Sequence, residues 1–129
     1  MEKLTPAQLT QLTLDYKNLG DQLMNYMNDN VNNLTTSQYL AMSHSVSIIH
    51  HNVTLLGALS TYETVQNLSA QIASINKASG KINAALKTIA NVQKAINIAA
   101  TVVNLGVSIL TFNVNDIITN AGTLITQVS

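Results

Sequence analysis

The sequence has 129 residues, a formal net charge of zero, 9% charged and 47% hydrophobic residues. This length suits a single domain that buries a modest core. The absence of cysteine excludes disulfides and zinc–thiolate sites, and the absence of arginine argues against specific nucleic-acid binding. Sixteen asparagines and twenty-four serines and threonines replace the usual charges. Such a surface has little like-charge repulsion, so we expect self-association.

The first predicted helix covers residues 6–32. It begins with an N-cap residue, Thr5, followed by a first-turn proline, Pro6. Gln8 is placed to complete a capping box with Thr5. Leucines and tyrosines then recur at spacings of three and four from Leu9 to Tyr26. The polar run NDNVNN at 28–33 is expected to end the helix.

The second predicted helix covers residues 36–79. Thr35 and Gln38 repeat the capping pattern, and apolar residues follow at helical spacing, with a slip of phase near Gly57. We expect a kink at Gly57 and an end at Ser79-Gly80. At about 1.5 Å per residue, this helix would be a rod of roughly 60 Å.

The third predicted helix covers residues 81–112, and a short amphipathic helix covers 116–128. Apolar residues of the third helix alternate spacings of four and three, with a polar interruption at Gln93 and a parallel column of small residues that includes Gly106. We call the apolar row the assembly seam: Ile82, Leu86, Ile89, Ile96, Val103, Val107 and Leu110. The fold expected is all-α, one domain over 1–129, in which three long antiparallel helices and the short C-terminal helix form an elongated, coiled-coil-like bundle.

A row of amides and hydroxyls, which we call the polar stripe, follows the third helix: Asn91, Asn97, Thr101, Asn104 and Ser108. Residues 95–115 carry no charge over a length sufficient to span a membrane. The segment could be the central rod of a bundle, a lining of a water-filled path with its apolar face in lipid, or a permanent anchor. We favour the rod, because two asparagines are costly in lipid.

No residue pattern indicates catalysis or a cofactor. The three histidines, His44, His50 and His51, are separated by six, seven and one positions, whereas ligands on a helix converge at three or four. We therefore predict no metal site and leave pH sensing as their functional alternative. No phosphate-binding loop, nucleophile elbow or paired carboxylates are present, so we predict that the protein is not an enzyme.

Long helices of low charge beside an apolar segment with a polar stripe resemble the general build of α-helical pore-forming toxins and their accessory components. The likeness lies in composition and layout over the last two-thirds of the sequence and carries no family residue over. It implies an oligomer-forming, membrane-active, toxin-like protein. We predict a non-enzymatic, self-associating helical bundle whose third helix supports oligomer assembly or membrane interaction.

Other functional classes stay open from the sequence. One is a soluble adaptor or immunity-type module that binds another helical protein, and another is a structural polymer subunit. The expected partners are a second copy or another helical protein, with a membrane as a further candidate and nucleic acid excluded. The start MEKLTPAQ has no apolar run behind a basic patch, so we expect a cytoplasmic protein or one secreted without a signal peptide.

Overall fold

A computed structural model describes residues 2–89 and 91–129 and confirms the all-α prediction. Its five helices are α1 (Pro6–Asp29), α2 (Thr36–Gly57), α3 (Ser69–Thr88), α4 (Val92–Leu110) and α5 (Val114–Val128). A 3-10 turn covers Val31–Asn33. Two short strands, β1 (Glu2–Lys3) and β2 (Glu63–Thr64), pair antiparallel.

The two capping boxes form as the sequence indicates. The Thr5 hydroxyl accepts a hydrogen bond from the backbone amide of Gln8 at 3.1 Å, and the Gln8 side-chain oxygen accepts one from the backbone amide of Thr5 at 2.9 Å. Thr35 and Gln38 make the same reciprocal pair at 3.2 and 2.9 Å. The caps satisfy amides that have no partner within the helix and so fix where α1 and α2 begin.

The prediction of one continuous helix over 36–79 is wrong, because α2 ends at Gly57 and α3 begins at Ser69, with a loop over 58–68. The loop between them contains β2, which pairs with β1. Next to this pair, the amide of Leu4 donates to the carbonyl of Tyr62 at 2.9 Å. Burial of Tyr62 to 1% exposure holds the loop in place. Gly80 lies inside α3 and does not end a helix. A glycine within a helix lowers its stability by about 1 kcal/mol relative to alanine, which α3 tolerates.

The predicted third helix over 81–112 is two helices. The chain leaves the helical region at Ile89, and the Asn91 side chain caps α4 by accepting the amide of Gln93 at 2.9 Å. Asparagine is a strong N-cap residue, so the local signal for a new helix outweighs the continuous heptad spacing. The C-terminal helix begins at Val114 behind the cap residue Asn113, and α1 ends at Asp29 rather than at 32.

The helices form a ring in the order α1, α2, α4, α5, α3, and α1 also packs against α4. Parallel neighbours replace the simple antiparallel arrangement that we expected. Asn18 donates to Ser79, and Asn76 donates to Asp15. Both pairs join positions 61 apart, so α1 and α3 run parallel to each other. The carboxylate of Asp15 is buried at 5% exposure and has amide donors there, including Gln11 at 2.9 Å.

The hydrophobic core is one cluster of buried side chains to which all five helices contribute. Its largest fully buried members include Tyr16, Met42, Ile49, Ile82 and Leu105. Because α1 and α4 contact each other across the ring, α4 lies among protein neighbours on its apolar side. One face of the uncharged segment 95–115 therefore packs against protein in this structure.

Candidate functional site: the C-terminal hairpin and the ribbon end

Residues 91–129 form a helical hairpin, which we call the C-terminal hairpin, with α4 and α5 packed on each other. At the end of α4 the amide of Asn113 donates to the Ser108 carbonyl at 3.0 Å, and the amide of Phe112 donates to the Ile109 carbonyl at 3.1 Å. This is the Schellman pattern, whose left-handed position usually holds glycine. Here Phe112 occupies it at φ 55°.

An aromatic stack joins this turn to the loop after α2. The rings of Phe112 and Tyr62 are 4.4 Å apart between centroids and 18° from parallel. The Tyr62 hydroxyl donates to the carbonyl of Ile109 at 2.6 Å, and burial raises the pKa of Tyr62 to about 12. Such pairs contribute about 0.5–1.5 kcal/mol beyond burial, which offsets the strain at Phe112.

A second tyrosine joins α4 to α1 and α2. The Tyr16 hydroxyl donates to the Val102 carbonyl at 2.9 Å and accepts a hydrogen bond from the Asn52 amide at 3.2 Å. Gly106 permits this approach, because a Cβ there would lie 2.1 Å from the Tyr16 oxygen. Burial raises the pKa of Tyr16. The sequence placed Tyr16 on an apolar stripe and gave no sign of its polar partners.

The structure does not bring the assembly seam together on one face. Ile82 and Leu86 are buried in α3, whereas α4 belongs to the other side of the ring and does not continue α3. On α4 the buried face is the neighbouring one that carries Ile98, Val102 and Leu105. The remaining seam residues, from the end of α3 onward, are not fully buried. Val107 is 46% exposed, and the others are half-buried: Ile89, Ile96, Val103 and Leu110.

The polar stripe divides into exposed amides and buried hydroxyls. Asn91, Asn97 and Asn104 are exposed. Thr101 and Ser108 are buried, and each donates to the carbonyl four residues earlier, at 3.1 and 2.7 Å. Among the described residues, α4 is the one helix long and apolar enough to cross a membrane by length and composition, and half of that stretch is buried here.

Large apolar side chains are exposed mainly at one end of the bundle, which we call the ribbon end. It holds β1, β2, the first three turns of α1, the last turn of α2, the turn between α4 and α5, and the start of α5. Six of the nine exposed large apolar residues in the described part of the chain lie there: Leu14, Leu55, Val65, Val107, Phe112 and Ile118. The other three lie at the opposite end, namely Val31, Tyr39 and Leu40. Neither cluster was predicted.

Two grooves border these ends. One of about 290 Å³ lies at the ribbon end between α1 and α2, beside Leu14 and Leu56. The other, of about 720 Å³, lies at the opposite end between the close of α3, the start of α4 and the close of α5. Its wall includes Lys94 and Gln127. The side-chain oxygen of Gln127 is buried and has no hydrogen-bond partner among the described residues.

The histidines lie on α2 and do not converge. His44 and His51 are exposed, and His50 Nε2 is 3.6 Å from a carboxylate oxygen of Asp21. Asp21 also pairs with Lys17 at 2.7 Å. Across residues 2–89 and 91–129, no three histidine or carboxylate side chains are grouped as metal ligands would be. That these residues bind no metal stays a prediction.

No protein-family model, curated protein or solved structure matches this chain.

Proposed function

We propose that the protein is a non-enzymatic helical bundle that acts by self-association through its ribbon end. The observation that supports this proposal is the concentration of exposed apolar side chains there, led by Val65 at 78% exposure. An apolar group of this kind on an otherwise polar surface is typical of interaction sites. Association would remove these side chains from water and contribute about 25 cal/mol for each Å² buried.

A second copy of the chain is the partner that the charges favour. The net charge is zero and the charged fraction is 9%, so copies repel one another little. Few charges lie at the ribbon end: Lys3 is opposite Glu63 in the strand pair, Glu2 is beside it and Asp116 begins α5. Three acids against one lysine give a weak negative field there, which the burial of apolar side chains has to outweigh when two copies meet.

Sedimentation at increasing protein concentration tests the proposal. We expect the mass of the wild-type protein to grow with concentration. Val65→Lys combined with Leu55→Lys should weaken association at least about tenfold, because two ammonium groups would enter the contact. Leu40→Lys is the matched control, since Leu40 is 61% exposed at the opposite end, and should leave the association constant unchanged. A monomer at every concentration, or equal loss in the control, would contradict the proposal.

A second candidate is an adaptor that binds a helix of another protein. It is favoured by the groove beside Leu14 and Leu56, which is lined by apolar side chains of α1 and α2. Growth of mass with concentration distinguishes the two, since an adaptor for another protein has no need to form larger species alone. Open-ended growth rather than a closed oligomer would instead indicate a polymer subunit.

A further inference from the structure

Most hydroxyl groups of the C-terminal hairpin bond within their own helices. Thr101 and Ser108 donate to carbonyl oxygens of α4, as described above. Thr111 and, in α5, Thr123 and Thr126 do the same at 2.8–3.0 Å. A hydroxyl paired in this way carries its hydrogen bond with the helix into any environment, lipid included.

Several amides of the hairpin also have partners inside it. Gln93 donates to Asn97 at 3.0 Å, and Asn120 of α5 donates to Ser108 of α4 at 2.9 Å. At the start of α5, Asn113 donates to the carboxylate of Asp116 at 2.8 Å. The bond from Asn120 to Ser108 thus joins the two helices in addition to their packing.

The hairpin is joined to the other described residues by few polar contacts. Two hydrogen bonds cross this boundary in the described part of the chain, those from Tyr16 to the Val102 carbonyl and from Tyr62 to the Ile109 carbonyl. Both described ion pairs lie within α1 and α2. Apart from these bonds and the approach of Asn52 to Gly106, the described core between the hairpin and α1 to α3 consists of apolar side chains, which a lipid phase can replace.

Charge and length also suit a bilayer. Residues 91–129 contain one lysine, Lys94, and one acid, Asp116, and the 21 residues between them are uncharged. α4 has 19 residues and is about 28 Å long, close to the hydrocarbon thickness of about 30 Å. At the hairpin turn, Val107, Phe112 and Ile118 already expose apolar side chains.

We propose that the C-terminal hairpin is a membrane-inserting unit, which leaves α1 to α3 and enters a lipid bilayer turn first with its internal polar pairs intact. The apolar face of α4, with Val102 and Leu105, then exchanges protein for lipid. Lys94 stays at the surface of entry, and Asp116 crosses to the far headgroups. This step goes beyond self-association at the ribbon end, and lipid is the partner it requires.

Single labels on cysteine variants test the insertion, because the natural chain has no cysteine. Val107→Cys marks the hairpin, and Leu40→Cys marks α2 as the control. Each carries an environment-sensitive fluorophore and is mixed with vesicles of phosphatidylcholine and phosphatidylglycerol that contain a nitroxide-labelled acyl chain. We expect quenching at position 107 and none at position 40. Quenching at neither position, or equal quenching at both, overturns the proposal.

Removal of the crossing charge gives a second readout. Asp116→Asn should raise the rate of insertion at least about tenfold, because the carboxylate no longer has to pass through hydrocarbon on its way to the far headgroups. Asp29→Asn removes an acid from the end of α1 and should leave the rate of insertion unchanged. Equal effects of the two variants would show a general charge effect and overturn the proposal. The lysine variants at Val65 and Leu55 leave the hairpin intact, so loss of self-association is distinguishable from loss of insertion.

Discussion

At the scale of single residues, one close approach between helices depends on an absent side chain. Gly106 lies against the hydroxyl of Tyr16 and the amide of Asn52, and the phenol is fully buried. The ring therefore cannot swing into solvent to make room for a larger residue. Three helices, α1, α2 and α4, meet at this point and are positioned by it.

Gly106→Ala should destabilise the protein by about 2 kcal/mol or more, because the added methyl group overpacks the site and displaces the Tyr16 hydrogen bonds. Gly122→Ala in α5 is the matched control, since nothing lies within 4 Å of its added Cβ. That control should stabilise by about 0.5–1 kcal/mol through helix propensity. Urea unfolding measures both. A Gly106→Ala protein as stable as the Gly122→Ala protein would show that the approach is looser than described.

Residue-level prediction from the sequence succeeded where the signal is local and failed where the partner is distant. Both threonine–glutamine capping boxes follow from four consecutive residues, and both form. The bond from Asn76 to Asp15 joins positions 61 apart, and nothing at either position names the other. Buried polar pairs of this kind require knowledge of which helices are neighbours.

At the scale of elements, the α4–α5 turn shows a local choice that goes against propensity. A left-handed residue after a helix is usually glycine, because other side chains crowd the following carbonyl oxygen. Phe112 takes this conformation, and its ring stacks on Tyr62. The stack therefore helps to hold both the turn and the loop after α2.

Comparison of Phe112→Gly with Phe112→Ala isolates the backbone strain, because both variants lose the aromatic ring. The glycine variant should be more stable than the alanine variant by about 1 kcal/mol. Ala100 is exposed in the middle of α4, where the backbone is right-handed and alanine is favoured over glycine. Ala100→Gly should therefore lower the stability of the protein by about 1 kcal/mol. Thermal or urea unfolding measures the differences. An alanine variant at position 112 equal to or more stable than the glycine variant would contradict a left-handed turn.

Helix content was predictable at this scale, and several helix ends were not. Apolar spacing of three and four continues across both the Gly57 region and the boundary between α3 and α4, so periodicity alone joins separate helices. Helix order in the ring also depends on distant contacts. The asparagine cap at position 91 was the local signal that could have divided the predicted third helix, and the heptad spacing concealed it.

At the scale of the whole molecule, the structure has two parts of different polar connectivity. α1 and α3 are joined by side-chain hydrogen bonds that involve Asn18, Ser79, Asp15 and Asn76. Most hydroxyls of the C-terminal hairpin pair inside it, and the hairpin is held to the rest mainly by apolar packing. The sequence indicated the uncharged segment and its polar stripe, but the division became visible only once the partners of Thr101 and Ser108 were known.

Native-state hydrogen exchange, read for each amide, tests this division most directly. If the hairpin is a unit, the protected amides of Val92–Leu110 and Val114–Val128 should share one opening free energy, lower than that of α1. Tyr16→Phe, which removes the bond to Val102, should lower the hairpin's opening free energy by about 1 kcal/mol more than that of α3. Exchange of hairpin and α1 amides only together, in one global unfolding event, would contradict the account.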